Sequence, residues 1–252
     1  MENIVVIGGG HITLKDGNLE GKLKGSIPNS RSLMRAKAAA QIATTIVNRN
    51  KVYRDKNPAR FYFMEGMDDE EHSGGEAMYQ AFKSLVRETV TGNFSYDELI
   101  EPYCRVERRP QRNNSRNFGS HTSLGNILMI DYLWADELKE SRERGDNITI
   151  ITNNFHMPRA KIIARNITKL NICGESAEDI LKTSEDIFRE QNQVPKDNAT
   201  PISAKTLARE AIAYVLVSSN MTFKGLYIPR DLKKESDEVN TAYESLRSKG
   251  MI

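Results

Sequence analysis

The sequence is short of the features that mark several large classes of protein. Its two cysteines, Cys104 and Cys173, do not form a C-x-x-C pair, so neither a disulfide framework nor a structural zinc site is predicted, and a reducing cytoplasm fits. No stretch approaches about 18 consecutive apolar residues, so no membrane-spanning helix is predicted. The net charge is +2, from 36 basic and 34 acidic residues, which favours neither nucleic acid nor a membrane as the partner.

Several catalytic signatures are also absent. The chain has no G-x-x-x-x-G-K-[ST] loop, no G-x-G-x-x-G fingerprint and no G-x-S-x-G elbow. Its four histidines show neither H-x-x-x-H nor H-E-x-x-H spacing, which argues against a zinc enzyme. A P-loop hydrolase and a standard dinucleotide-binding protein are therefore not predicted.

Apolar runs and helical patterns alternate along most of the chain. Strands are predicted at 3–7, 60–65, 103–106, 147–152 and 169–173. Helices are predicted at 30–48, 76–90, 123–144, 157–166, 203–219 and 230–248. Residues 15–29 are expected to form a loop or a small hairpin. This alternation predicts an α/β fold with a mostly parallel sheet, whose ligands bind beyond the carboxyl ends of the strands.

The most informative stretch lies at 148–165, where a buried strand leads directly into a helix that carries His156 and Arg159 at its start. Pro158 suits the first turn of a helix, where its missing N–H costs nothing. An arginine near a helix start opposes the macrodipole, so we favour a ligand role for Arg159 over a structural ion pair. An anion is the natural ligand of such a helix start.

The preceding residues, Asn153 and Asn154, have two interpretations. Their side chains either contact the ligand or cap the helix, and the sequence favours neither. His156 is the best candidate for acid–base catalysis, because histidine ordinarily titrates near neutral pH.

Three glycines follow the first predicted strand. Gly8, Gly9 and Gly10 either let the backbone approach a ligand closely or form a plain turn. Arg35 lies in the next helix among small alanines, where it is either a ligand-binding residue or a surface arginine that snorkels to solvent.

These segments resemble the YdcF/SanA/ElyC family of bacterial α/β proteins, also known as domain of unknown function 218. The order and spacing agree over roughly residues 3–175. The resemblance rests on Ile7 to Gly10, Arg35 leading Ala-Lys-Ala-Ala-Ala, Glu76-Ala77, Ser120 to Asn126, and above all Asn-Phe-His-Met-Pro-Arg-Ala at 154–160. It implies a Rossmann-like three-layer domain with a ligand cleft at the strand ends, and S-adenosylmethionine as a ligand.

The chain departs from the family pattern at two places. Only Gly66 matches the family's Ser-Gly-Gly turn after the second strand, since Ser73-Gly74-Gly75 directly precedes Glu76 and is either that turn or a helix N-cap. Gly125 replaces a carboxylate of the family's Ser-x-Asn-Thr-x-Glu-Asn pattern, which removes the basis for an acid–base role there. The predicted ligand-binding residues are Gly8, Gly9, Gly10, Arg35, Gly66, Glu76, Ser120, Ser123, Asn126, Asn154, His156 and Arg159.

Two charged stretches have competing interpretations. The acidic run 68–72 could hold Mg²⁺, but a solvated loop is favoured because consecutive acids cannot all face one ion. The stretch 105–116 has five arginines against one glutamate, a local charge of +4. It lacks interleaved aromatics, so a solvated basic loop is favoured over a nucleic-acid site, and steering of an anionic small molecule is a third interpretation.

We therefore expect a cytoplasmic protein without an anchor, since the first strand begins at the third residue. Residues 1–220 should form the YdcF-like domain and 221–252 a helical extension packed on it. The expected ligand is anionic, phosphate-bearing or nucleotide-like. Three classes stay open: an enzyme of phosphate-ester or phosphoryl chemistry, in which Arg159 and Arg35 stabilise charge; a non-catalytic module for S-adenosylmethionine or a nucleotide; and an interaction scaffold.

Overall fold

The structure is a computed structural model that describes residues 2–8, 11–13, 26–28, 30–53, 59–65, 73–89, 100–107 and 123–182, with scattered helical positions between 204 and 248. Its centre is a five-stranded, wholly parallel sheet with helices on both faces, which confirms the predicted α/β class and the Rossmann-like three-layer architecture. No helix in this part of the chain has the length and apolarity that a membrane crossing requires.

The strands of the central sheet are β1 (Asn3–Ile7), β4 (Arg60–Met64), β5 (Cys104–Val106), β6 (Asn147–Thr152) and β7 (Asn171–Ser176). Their order across the sheet is β5-β4-β1-β6-β7. Two short strands, β2 (His11–Thr13) and β3 (Ser26–Pro28), pair antiparallel in a separate ladder. Of the loop or small hairpin predicted at 15–29, only residues 26–28 are described, and they form β3. All five residues of β1 are buried, as expected of a central parallel strand covered on both faces.

The helices are α1 (Ser30–Tyr53), α2 (Gly74–Thr89), α3 (Ser123–Leu133), α4 (Ala135–Arg144), α5 (Met157–Thr168) and α6 (177–182). A 3₁₀ turn, Glu101–Tyr103, precedes β5. Apolar residues of α1, α2 and α6 pack in one cluster on one face of the sheet, and those of α3, α4 and α5 pack in a second cluster on the other. Alternate residues of β1 supply the two layers, with Ile4 and Val6 in the first cluster and Val5 and Ile7 in the second.

The prediction of one long helix at 123–144 is wrong, because the chain forms two helices. The backbone of Trp134 leaves helical geometry, with φ −130° and ψ 41°, and its indole packs on Tyr62 with the ring centroids 5.4 Å apart. No glycine or proline marks this break in the sequence. The strand predicted at 169–173 also begins later, because Lys169 adopts a left-handed conformation (φ 56°) that ends α5.

One arginine of the predicted basic loop belongs to the sheet instead. Arg105 lies on β5, and its Nε and Nη2 donate to Glu137 Oε1 of α4 at 2.8 and 2.7 Å. The strand predicted at 103–106 is therefore confirmed for Arg105, and the alternative placement of this residue in a solvated loop is wrong. The other four arginines of that stretch lie outside the described residues.

Candidate functional site

The strand order reverses at β1, and this reversal defines the candidate site. From β1 the sheet grows through β4 to β5 in one direction and through β6 to β7 in the other. Gly8 directly follows β1 and Asn153 directly follows β6, so both lie at the carboxyl edge on either side of this switch point. Ligands of open parallel sheets bind in the crevice at such a position.

Arg35 links the ends of β1 and β6 at this edge of the sheet. It is 1% exposed, and its Nη1 donates to the carbonyl of Ile7 at 2.5 Å. Its Nε and Nη2 donate to Asn153 Oδ1 at 2.8 and 2.6 Å. Burial lowers the pKa of Arg35 to about 10, although the carboxylates of Glu65 and Glu178 oppose this change. Arg35 therefore stays a cation at neutral pH. Because the side chain is buried, the interpretation of Arg35 as a surface arginine is wrong, and its ligand-binding role stays a prediction.

Glu178 of α6 extends this hydrogen-bond network to the β7 side of the sheet. We call the network of Arg35, Asn153 and Glu178 the frame of the site. Its Oε1 accepts from Asn153 Nδ2 at 2.7 Å, and its Oε2 accepts from the backbone N–H of Asn154 at 3.0 Å. Ser176 fixes the start of this helix, since its hydroxyl accepts from the N–H of Asp179 at 2.9 Å and donates to the Asp179 carboxylate at 2.6 Å. The network thus joins the ends of β1, β6 and β7.

Glu65 lies at the end of β4 and fills the space beside two glycines. A Cβ placed on Gly8 or on Gly74 would overlap the Glu65 side chain, so both positions require glycine while this carboxylate stays there. Gly8 also donates its N–H to the carbonyl of Met64 at 2.8 Å. The requirement for Gly8 is therefore packing against a buried acid, in addition to any close approach of a ligand.

The start of α2 shows which role Ser73 has. The N–H of Glu76 donates to Ser73 Oγ at 3.0 Å, and this hydroxyl donates to the carbonyl of Glu107. Ser73 is therefore the N-cap of α2, which confirms one of its two interpretations. Glu76 Oε1 accepts from Gln80 Nε2 at 2.6 Å, one turn further along the same helix.

The turn between β6 and α5 carries the predicted histidine and arginine. His156 is the N-cap residue of α5, and its Nδ1 lies 3.4 Å from Nη2 of Arg159. The rings of His156 and Phe155 are in contact, tilted by 36° with their centroids 4.1 Å apart. Arg31, from the first turn of α1, lies over the Phe155 ring with its Cζ 5.4 Å from the centroid. All four side chains are half-buried.

Backbone donors contribute less to this site than the sequence suggests. The N–H groups of His156 and Met157 both donate to the carbonyl of Asn153, at 2.9 and 3.1 Å, and Pro158 has none. The side chains of Asn153 and Asn154 do not cap α5, since His156 occupies the N-cap position and makes no side-chain cap bond. The capping interpretation is therefore wrong, and an anion here would depend mainly on side chains.

The structure brings together five predicted residues at the switch point: Gly8, Arg35, Asn154, His156 and Arg159. Glu76 lies one strand away at the start of α2, and the buried Asn126 lies in the first turn of α3. Ser123 opens α3. The ligand-binding roles of all these residues stay predictions. Outside the described residues lie Gly9, Gly10, Gly66, Ser120 and the acidic run 68–72.

Sequence reasoning did not select Arg31, Glu65, Phe155 or Glu178 for this site. The sequence could have indicated Arg31, because this arginine lies in the first turn of a predicted helix, which is the feature that indicated Arg159. Glu65 is the last residue of the strand predicted at 60–65, which also placed it at the carboxyl edge. Glu178 had no such signal, since it reaches the site only through the pairing of β6 with β7.

Comparisons with protein-family models, with curated proteins and with solved structures find no match for this chain.

Proposed function

We propose that this protein binds an anionic small molecule, phosphate-bearing or nucleotide-like, at the carboxyl edge of the sheet between β1 and β6. The observation that carries the proposal is the half-buried Arg159 in the first turn of α5, beside the point where the strand order reverses. A cation there opposes the helix macrodipole, whereas a bound anion would interact favourably with both the arginine and the helix.

The proposal also draws on the resemblance of the sequence to the YdcF/SanA/ElyC family. It makes S-adenosylmethionine and nucleotides the first ligands to test. A cytoplasmic location, expected from the sequence, agrees with such a ligand.

The contact between Arg159 and His156 favours a binding role for the histidine. Because a guanidinium only donates, a hydrogen bond across this 3.4 Å separation would use Nδ1 as the acceptor and leave the ring proton on Nε2. In that tautomer Nε2 carries an N–H that can donate to an anion. Phosphate-ester chemistry is the second candidate, and the position of His156 beside a cation at the strand edge supports it. In that mechanism His156 moves a proton at the scissile oxygen.

The binding proposal is tested with Arg159→Gln and a matched control on the same helix. Arg165→Gln removes an equal charge in the last turn of α5, where the side chain is exposed. Thermal stabilisation by phosphate, AMP, ADP and S-adenosylmethionine should reveal the ligand class, because a ligand of the folded state raises the melting temperature. Titration calorimetry should then show a loss of about tenfold or more for Arg159→Gln, and none for Arg165→Gln.

A native mass spectrum of the purified protein adds a direct search for a retained ligand. The proposal is wrong if no compound of the panel stabilises the protein at millimolar concentration and no small molecule is retained. It is also wrong if Arg159→Gln binds as tightly as the parent while melting several degrees lower, since Arg159 would then be a structural residue.

His156→Gln separates binding from turnover. Glutamine keeps an N–H donor but does not titrate near neutral pH. The binding role predicts retained affinity for the stabilising ligand. The catalytic role predicts, in addition, hydrolysis of a phosphomonoester such as p-nitrophenyl phosphate by the parent and its loss in the variant.

A further inference from the structure

Glu178 links the turn between β6 and α5 to the β7 side of the sheet. The N–H of His156 donates within the turn, to the carbonyl of Asn153 at 2.9 Å. The N–H of Asn154 instead donates to Glu178 Oε2 of α6 at 3.0 Å. Local bonds fix the shape of a turn, whereas a bond to another element also fixes how the turn lies against the sheet. Glu178 therefore influences where the turn places His156 and Arg159.

The same carboxylate orients the side-chain amide of Asn153. Glu178 Oε1 accepts from Asn153 Nδ2 at 2.7 Å, while Asn153 Oδ1 accepts from Nε and Nη2 of Arg35 at 2.8 and 2.6 Å. An ionised carboxylate only accepts and a guanidinium only donates, so these two neighbours together determine which way the amide faces. Asn153 is 2% exposed, so a reversed amide would leave buried groups without their bonds.

Glu178 is itself fixed by the elements on either side of it. The strand before it, β7, pairs with β6 as far as Ser176 opposite Thr152. The hydroxyl of Ser176 accepts from the N–H of Asp179 at 2.9 Å at the start of α6. Ala177, the residue before Glu178, is fully buried in the cluster that contains residues of α1. The carboxylate is therefore in place before any ligand binds, as a supporting residue of a binding site should be.

The charge of Glu178 opposes the binding of an anion nearby. Its carboxylate interacts electrostatically with the buried Arg35 cation, but it also repels a negative ligand at the adjacent turn. Its hydrogen bonds to Asn153 and Asn154 act in the other direction if they keep the turn in a binding orientation. The two effects have opposite signs, so an experiment can separate them.

We infer that Glu178 is a positioning residue of the anion site. It keeps the turn between β6 and α5 in the orientation in which Arg159 and His156 bind the ligand, and it acts through Asn153 and Asn154 rather than by contact with the ligand. This inference rests on the proposed anion site and adds the contribution of α6 to it.

Two variants of Glu178 separate its hydrogen bonds from its charge. Both of its contacts require an acceptor, and glutamine has one acceptor oxygen and one donor amide, so Glu178→Gln loses one contact together with the charge. Glu178→Asp keeps the charge, but its side chain is one methylene group shorter and cannot span both contacts. Glu175→Gln is the matched control, because it removes the same charge from an exposed residue of β7.

The test is titration calorimetry with AMP and inorganic phosphate at a temperature at which the proteins are folded. Glu178→Gln should weaken both ligands by about tenfold although it removes a negative charge, and Glu178→Asp should weaken them on the same scale. Glu175→Gln should leave both affinities unchanged or slightly higher. If Glu178→Gln does not fold, Glu178→Asp alone decides, because its charge equals that of the parent.

NMR of the His156 ring provides a readout that a loss of stability alone does not change. The ring resonances, assigned by their loss in His156→Gln, should shift in both Glu178 variants and stay in place in Glu175→Gln. Glu178 variants that bind as tightly as the parent, or more tightly, would overturn the positioning role and leave the Arg159 anion site standing. Weaker binding with unchanged His156 resonances would also overturn it. Absence of binding by the parent protein would overturn the anion site and this inference together.

Discussion

Replacing Arg35 by methionine removes a buried cation, and the resulting loss of folding stability should be large enough to measure. The change takes away the donors to the Ile7 carbonyl and to Asn153 Oδ1. It also removes the cation that faces the carboxylates of Glu65 and Glu178. Methionine fills much of the same volume, so the expected effect is polar and electrostatic rather than a cavity.

The magnitude follows from two opposed effects. Burial alone disfavours the guanidinium, as its lowered pKa of about 10 indicates, and methionine relieves that cost. The variant, however, leaves two buried acceptors without their donor, at about 1–3 kcal/mol each, and two carboxylates without a counter-charge. Removal of one partner from a buried ionic cluster costs about 3–5 kcal/mol in total. We therefore expect Arg35→Met to lower the free energy of unfolding by about 3 kcal/mol or more.

Urea unfolding followed by circular dichroism measures this loss. With a slope of about 3 kcal/mol per molar urea, the midpoint should fall by about 1 M. Arg49→Met, at an exposed position of the same helix, should leave the midpoint unchanged. Adding Glu65→Gln to Arg35→Met should restore part of the loss, because it removes a carboxylate that has lost its cation. An unchanged midpoint in Arg35→Met, or a further fall in the double variant, would refute the reasoning.

Two further predictions concern Tyr62 of β4 and the start of α2. Burial and the Glu137 carboxylate raise the pKa of Tyr62, so the folded state keeps this proton longer than the unfolded chain and stability falls as pH rises above about 10. Tyr62→Phe should shrink the drop in melting temperature between pH 9 and pH 11, whereas Tyr132→Phe, at a 46% exposed tyrosine, should not. Ser73→Ala should cost about 1 kcal/mol in urea unfolding through loss of the N-cap, while the exposed Ser84→Ala on the same helix should cost almost nothing.

The sheet could be predicted from local pattern because its strands are short apolar runs in an alternating order. Four of the five predicted strands agree with the structure to within a residue at each end, including the short β5. Helix ends were harder to predict. No residue near Tyr53 indicates that α1 extends about one turn beyond 48. No glycine or proline marks the break at Trp134, and the contact of its indole with Tyr62 joins residues far apart in the sequence.

The site was predictable where its residues follow directly from a strand end. His156 and Arg159 come shortly after β6, and the pairing of β1 with β6 puts the end of that strand beside the end of β1. The partners of Arg35 could not be predicted, because Asn153 is 118 residues away along the chain and the contact depends on the order of the strands. The helical pattern predicted where Arg35 lies, but not that its side chain points into the sheet edge.

The burial of Arg35 also changes how the family resemblance relates to function. Gly8 and Arg35, two of the residues that carry the resemblance, are accounted for by the frame: Gly8 admits Glu65, and Arg35 joins the ends of β1 and β6. Arg159 differs, since its guanidinium lies against His156 and is only half-buried. Variants of Arg35 should therefore change stability first and binding as a consequence, whereas Arg159→Gln should change binding more than stability. For this reason we propose that the ligand binds at the half-buried Arg159 rather than at the buried Arg35.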